Sequence, residues 1–343
     1  MGASIRKPKP ATDTADRAPA TAAATANYQS LALDQCDPDQ LTEVIHGTDM
    51  HHRLLPGGAR TVVLEKLRIG TGSLQRGRYG MGILVNGAWP RGLVTVGVVL
   101  QSPTEAIVNG FACPPPSLQL YAEGCELTYR AAPGSAWIAY CVERERIQRS
   151  ALKTHGRPLP VPRAGCLSIR LEPQAGWRIA ATIQALLAPT AANRPSGAID
   201  PCADALEEQL HFEIARALDT AGSLGGCREL RQADHRRRLM ARAEEYLREN
   251  LSEPFSLSGF ADSVGVSPRM LEHHFRRAFG VTPSTWHRCM KLDAARRDLQ
   301  KARATGERIA EIAMRRGFLH LGRFSQEYRQ LFGERPRDTV YRP

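Results

Sequence analysis

No run of eighteen apolar residues occurs in the chain, so no segment reads as a membrane span. The first residues lack the apolar core of a signal peptide. Met1-Gly2 is followed by Arg6, where a myristoylation signal places Ser or Thr. The eight cysteines never form a C-x-x-C pair, which removes the commonest zinc and dithiol motifs. Cys113, Cys125, Cys141 and Cys166 lie in strand-like stretches and read as small, reduced core residues. Histidines do not cluster on strands as a metal site requires. His46, His51 and His52 precede the main strand runs, His155 lies far downstream, and all four read as surface or turn residues. The expectation is a cytoplasmic protein with no metal, no cofactor and no catalytic residues.

What is present divides the chain by texture. Residues 1–27 are rich in Ala, Thr and Pro and read as a disordered tail. Residues 28–173 carry short β-type runs such as Val62-Val63-Leu64, Gly82-Ile83-Leu84-Val85, Leu93–Leu100 and Ala136–Tyr140. Turn signals punctuate them at Pro56-Gly57-Gly58, Asn86-Gly87, Pro114-Pro115-Pro116 and Pro133-Gly134. Many short strands with turns between them predict a β-sandwich or barrel. Tyr121, Trp137 and Tyr140 read as core aromatics.

Residues 174–222 turn helical. Trp177, Ile179 (or Ala180), Ile183, Leu186 and Leu187 form one stripe. Leu206, Leu210, Ile214 and Leu218 form a second, which suits packing within the domain or a dimer contact. Gly222 to Gly226 reads as a flexible linker.

The last third contains one pattern twice. Ala261, Gly265, Leu271, Phe275, Gly280 and Pro283 recur as Ala313, Gly317, Phe324, Tyr328, Gly333 and Pro336. The first two pairs are offset by 52 residues and the last four by 53, so the second unit has one extra turn residue. In the first unit Gly265 breaks a helix at its C-terminus, while Ser267 and Pro268 read as the N-cap and first residue of the next. That next helix buries Leu271, Phe275 and Phe279 at helical spacing. A short helix, a tight turn and a helix with a basic outer face make a helix-turn-helix. These units span 257–278 and 308–331, within a domain placed at 236–343. Between them a helix from about Pro283 to Lys301 has Trp286, Met290, Ala294 (or Ala295) and Leu299 on its inner side. Arg288, Lys291, Arg296 and Arg297 are expected on a basic outer side.

Charge follows the same division. Residues 231–343 hold 23 Lys+Arg against 14 Asp+Glu, while residues 1–230 hold 23 against 21. The basic excess sits on the repeat, as a polyanionic partner requires.

Residues 239–341 resemble the DNA-binding domain of the AraC/XylS family of transcription regulators. The resemblance rests on Arg308-Ile309-Ala310-Glu311-Ile312-Ala313, Gly317-Phe318, Phe324, Gly333 and Pro336, with Lys291-Leu292, Ala295 and Leu299 similar to the family's linker helix. It implies a seven-helix, all-α domain placing two helices in successive major-groove segments about 34 Å apart. Domain order implies that the β part corresponds to a cupin-like sensor domain.

Carried over by position, the base-contacting residues are Arg269, Glu272 and His273 in the first reading helix, and Leu321, Gly322, Arg323 and Gln326 in the second. Arg suits guanine, Glu cytosine and Gln adenine. Ser267, Arg276, Arg277 and Arg329 are expected at phosphates. Glu272 equally suits an intrahelical pair with Arg276. His320-Leu321-Gly322 replaces the polar residues usual there, Lys291 stands where Arg is usual, and Tyr341-Arg342 comes about two residues late. The first reading helix is therefore expected to set sequence choice.

The function implied is sequence-specific transcription regulation, as an activator controlled by a small-molecule effector. Double-stranded DNA, RNA polymerase and a second copy of the chain are the expected partners. A constitutive DNA-binding scaffold is the first alternative. A DNA-directed repair enzyme is the second, but the cysteine spacings offer neither a four-cysteine zinc site nor an activated acceptor cysteine.

Overall fold

The computed structural model describes residues 28–34, 41, 49–188, 201–221 and 242–341. The expected tail over 1–27 and the expected linker from Gly222 to Gly226 lie outside the described residues.

The β part contains β1 (Tyr28–Leu33), β2 (Asp49–Ile69), β3 (Gly72–Ala88), β4 (Val94–Gln101), β5 (Ala106–Val108), β6 (Phe111–Cys113), β7 (Ser117–Tyr121), β8 (Glu126–Ala131), β9 (Ser135–Val142) and β10 (Cys166–Arg170). Every pairing is antiparallel, in the order β10-β7-β4-β9-β3-β8-β5-β6, with β2 and β1 continuing from β3. β3 makes the sheet curl. Its first half pairs with β9 and its second half with β8. The result is a near-closed barrel with two apolar faces. On β4, Thr95, Gly97 and Val99 face inward, while Val94, Val96 and Val98 face outward, and all but the strand's end is buried.

The outer face is covered by α1 (Arg144–His155), α2 (Pro173–Leu186) and α3 (Pro201–Ala221). Leu210, Ile214 and Leu218 pack with Ile179, Ile183 and Leu186 against Val96, Ile138 and Tyr140. The second stripe is therefore spent inside this domain. Trp177 departs from the first stripe. It is 78% exposed, because Ala175, Gly176, Ile179 and Ile183 define the buried side of α2 and Trp177 points away. A polar cluster pins α3. The Tyr140 hydroxyl donates to Glu207 and lies 2.8 Å from His211 Nε2, and Arg146 also pairs with Glu207. With Tyr140 donating to the carboxylate, His211 Nε2 must carry the proton that reaches the phenol oxygen.

The C-terminal part holds seven helices among its described residues. These are α4 (242–249), α5 (Leu257–Val264), α6 (Pro268–Phe279), α7 (Pro283–Thr305), α8 (Ile309–Arg315), α9 (Leu321–Phe332) and α10 (Pro336–Val340). The N-cap oxygens of Ser256, Ser267 and Thr282 accept from Gly259, Met270 and Thr285 backbone N–H groups. The extra residue of the second unit is visible. Val266 and Phe318 make equivalent bonds to Ala261 and Ala313, after which one residue precedes α6 and two precede α9.

The helix α7 corrects one expectation. Lys291 and Arg296 are not on a basic outer side; they are 9% and 4% exposed. Lys291 Nζ donates to the Glu253 carbonyl at 3.3 Å, across the Gly317 turn. Arg296 pairs with Glu334 at 3.5 Å and lies over the Phe332 ring. Only Arg288 and Arg297 face outward. A helix wedged between two helix-turn-helix units has too little free surface to leave all four cations in water.

The barrel docks on this domain through β2, whose side chains alternate. Met50, His52 and Leu54 face the barrel interior, while Arg53 and Leu55 face the helices. Arg53 pairs with Glu244 at 3.2 Å and Asp293 at 3.3 Å. Leu55 and Leu84 join the core of the first helix-turn-helix, around Phe260, Phe275 and Trp286.

Candidate nucleic-acid interface

On α6, Leu271, Phe275, Ala278 and Phe279 are buried. That leaves Ser267, Arg269, Met270, His273, Arg276 and Arg277 exposed, with Glu272 half-buried. Ser267 accepts from the Met270 N–H at 3.3 Å, so its hydroxyl proton remains free to donate outward. Glu272 sits 3.6 Å from Arg276, the intrahelical pairing that its spacing allows. Such exposed pairs are worth at most about 1 kcal/mol, so Arg276 can exchange Glu272 for a phosphate at little cost.

On α9, Phe324, Tyr328, Leu331 and Phe332 are buried, leaving Leu321, Gly322, Arg323, Gln326 and Arg329 exposed. Gln326 occupies the position of His273 and Arg329 that of Arg276, offset by 53. The two helices nevertheless differ. His320 gives α9 no side-chain cap, and Arg323 is held by Glu327 at 2.8 Å. Arg288 binds the same carboxylate at 3.3 Å. The structure thus brings Arg269, Glu272 and His273 to one surface and Arg323 and Gln326 to another, with Arg276, Arg277 and Arg329 further along the same two helices. Apolar groups missed from the sequence flank the second surface, since Met314 and Leu319 are also exposed.

A second feature lies in the barrel. Met50, His52, Trp89, Tyr129 and Trp137 are among the side chains lining a cavity of about 60 Å³. This corrects the surface-or-turn reading of His52. Its strand turns it inward, and burial, with His51 beside it, lowers its pKa to about 4 despite the Met50 carbonyl. Two strand-interior glycines open the space. A Cβ on Gly77 would collide with the Trp137 indole, and one on Gly97 would stand 3.0 Å from the Tyr121 ring. Glycines inside β-type runs were the available sequence signal.

Two helix-turn-helix units on one helical body, each presenting an exposed basic face, define a tandem DNA-binding domain. A family model described as a helix-turn-helix domain matches residues 260–342. The XylDLEGF operon transcriptional activator of Pseudomonas putida is 41% identical over 99 residues, covering 29% of this chain and 31% of that protein. The "Probable thc operon regulatory protein" of Rhodococcus erythropolis is 40% identical over 98 residues, 29% of this chain and 30% of that one. A solved AraC-type regulator from Chromobacterium violaceum is 32% identical, covering 31% of this chain and 96% of that one, at a TM-score of 0.29. Residues 260–342 thus form a helix-turn-helix domain of the AraC/XylS type. The chain spans about 30% of the length of the curated relatives it matches.

Proposed function

We propose that the chain is a sequence-specific transcription regulator that inserts the N-terminal parts of α6 and α9 into two successive major-groove segments. The observation that carries this reading is the pairing of two capped or preformed reading helices whose outward faces hold Arg269, Glu272 and His273 on one and Arg323 and Gln326 on the other. Arg269 suits the bidentate edge of guanine, Glu272 the cytosine amine, and Gln326 adenine. Ser267, Arg276, Arg277 and Arg329 supply phosphate contacts that hold position without reading sequence.

Regulation comes from the barrel. A small molecule in its cavity shifts the arrangement of the two domains, provided it binds the DNA-competent and incompetent arrangements unequally. The β2 strand offers the route, since His52 lines the cavity and the adjacent Arg53 grips Glu244 and Asp293. Activation through RNA polymerase follows the activator named among the relatives, and a second copy of the chain on DNA completes the reading. The relatives named are transcription regulators, which favours this reading over a DNA-directed repair enzyme.

The test is a mobility shift with a DNA site selected from a random pool, compared with an unrelated duplex. Specific binding should exceed non-specific binding by about a thousandfold or more. Equal affinity for both duplexes at moderate salt would leave only a non-specific scaffold.

A further inference from the structure

The chemistry of the barrel cavity is one-sided. Among the described residues, none that lines the cavity is Asp, Glu, Lys or Arg. His52 is neutral at physiological pH, since burial holds its pKa near 4, and burial also pushes the Tyr121 and Tyr129 hydroxyls up. Hydrogen-bonding groups are nevertheless present. The Trp89 and Trp137 indole N–H groups and the Tyr129 hydroxyl are buried and have no hydrogen-bond partner among the described residues. Trp89 and Tyr129 are only 9% and 7% exposed. An indole N–H can only donate, so two of these three groups call for an acceptor from the occupant.

Three classes of occupant can be ranked from this. A carboxylate or a phosphate would shed its hydration and meet no cation, which is strongly unfavourable. A pure hydrocarbon would leave the buried donors unsatisfied. A neutral acceptor on an apolar body satisfies both the walls and the donors. The space is equivalent to roughly four water-sized spheres, so an occupant with a ring must press the aromatic walls apart.

We propose that the cavity binds a small uncharged molecule carrying a hydrogen-bond acceptor, such as an amide, ketone or ester, which takes hydrogen bonds from Trp89, Trp137 and Tyr129. This rests on the effector reading above and adds the class of effector. Met50 and His52 place the occupant against the strand whose next residue grips the helical domain.

The test uses the full chain and five probes, acetamide against acetate, benzamide against benzoate, and isopropylbenzene. Binding is read by tryptophan fluorescence and thermal shift at pH 7.5. At least one amide should bind about tenfold or more tightly than its acid and than isopropylbenzene. Any binding of an acid should weaken about tenfold per pH unit above its own pKa, because only the neutral form enters. Tyr129→Phe should weaken the amide about tenfold, the loss of one buried hydrogen bond. Trp137→Phe serves the same purpose if Tyr129→Phe does not fold. An acid that binds as tightly as its amide at pH 7.5 overturns the proposal, as does failure of all five probes to saturate. A mobility shift on the same samples separates the readings. Specific DNA binding with no amide preference removes the ligand class alone, while an acid that binds and alters DNA affinity keeps the effector reading and removes the neutral class.

Discussion

The Arg53 guanidinium of the barrel lies over the Trp286 ring of the helical domain, 4.6 Å from guanidinium carbon to ring centroid. The same side chain reaches Glu244 and Asp293, so a single residue on β2 binds α4 and α7 at once. A partly desolvated cation–π contact contributes about 0.5–2 kcal/mol, and half-exposed ion pairs somewhat less. Arg53→Ala should therefore lower the stability of the docked arrangement by about 1–3 kcal/mol while leaving base preference unchanged. Trp286 fluorescence and thermal melting check the first part, and binding to a set of single-base variant sites checks the second.

Both reading helices end against arginines of the barrel. Gly280 and Gly333 close α6 and α9 at φ of 72° and 68°, a left-handed conformation that costs an ordinary residue about 1 kcal/mol or more. A Cβ at Gly280 would also strike the Arg130 guanidinium, and one at Gly333 would stand 3.3 Å from Arg60 Cδ. Cations at helix C-termini are favourable, so these contacts orient the barrel across the ends of both helices. Gly280→Ala and Gly333→Ala should each cost about 1 kcal/mol or more in urea unfolding, because the left-handed strain is alike and the Arg130 guanidinium, the far end of a flexible side chain, can move aside.

Acid should destabilise the fold earlier than carboxylate chemistry alone requires. Burial lowers His52, His211 and His287 to about 4 from an ordinary value of 6.5, with His51, Arg146 and Lys291 respectively adding repulsion. Between those values the unfolded chain binds more protons than the folded one, so stability falls as pH drops from about 6.5 towards 4. Above 6.5 the three groups leave stability flat. Thermal melts at pH 7.5, 6 and 5 should show a falling Tm. A Tm that holds or rises across that range contradicts the burial of these rings. Below the ordinary carboxylate value of 3.8 a further loss should follow at Asp298. Burial would raise that carboxyl, but hydrogen bonds from Arg316 and Arg315 outweigh it and hold it lower.

The Tyr140 cluster should be costly to break. Tyr140→Phe removes a donor from Glu207 and the partner of His211, both 2% exposed. Leaving a buried carboxylate short of a donor costs about 1–3 kcal/mol. Urea unfolding should show that loss, with DNA affinity unaffected at temperatures where the variant remains folded.

The helix-turn-helix repeat was legible because its signals are local. Ser267 as a cap, Gly265 and Gly280 as left-handed stops, and Leu271 with Phe275 on one face each act within a few residues along the chain. The burial of Lys291 and Arg296 was not legible, because it depends on Glu253 and Glu334, which approach only after the domain folds. His52 was misread for a related reason. Neighbouring residues on a strand point to opposite sides, and which side His52 takes is set by the pairing of β2 with β3. The barrel class followed from the turn-punctuated strand runs. Its cavity did not, since Gly77 and Gly97 open space only beneath rings brought from β9 and β7.

In the proposed function the two helices are expected to divide their work, with α6 setting most of the sequence choice and α9 mainly adding affinity. Arg269 on α6 has no ion pair among the described contacts, whereas Arg323 on α9 shares Glu327 with Arg288. The most direct measurement is the base preference of wild type, Arg269→Ala and Arg323→Ala across every single-base variant of one selected site, at fixed salt. Arg269→Ala should lose about 1–3 kcal/mol of discrimination at one base pair and keep the rest. Arg323→Ala should weaken all variants alike. An unchanged preference profile for Arg269→Ala, or a base-specific loss for Arg323→Ala, would contradict that division.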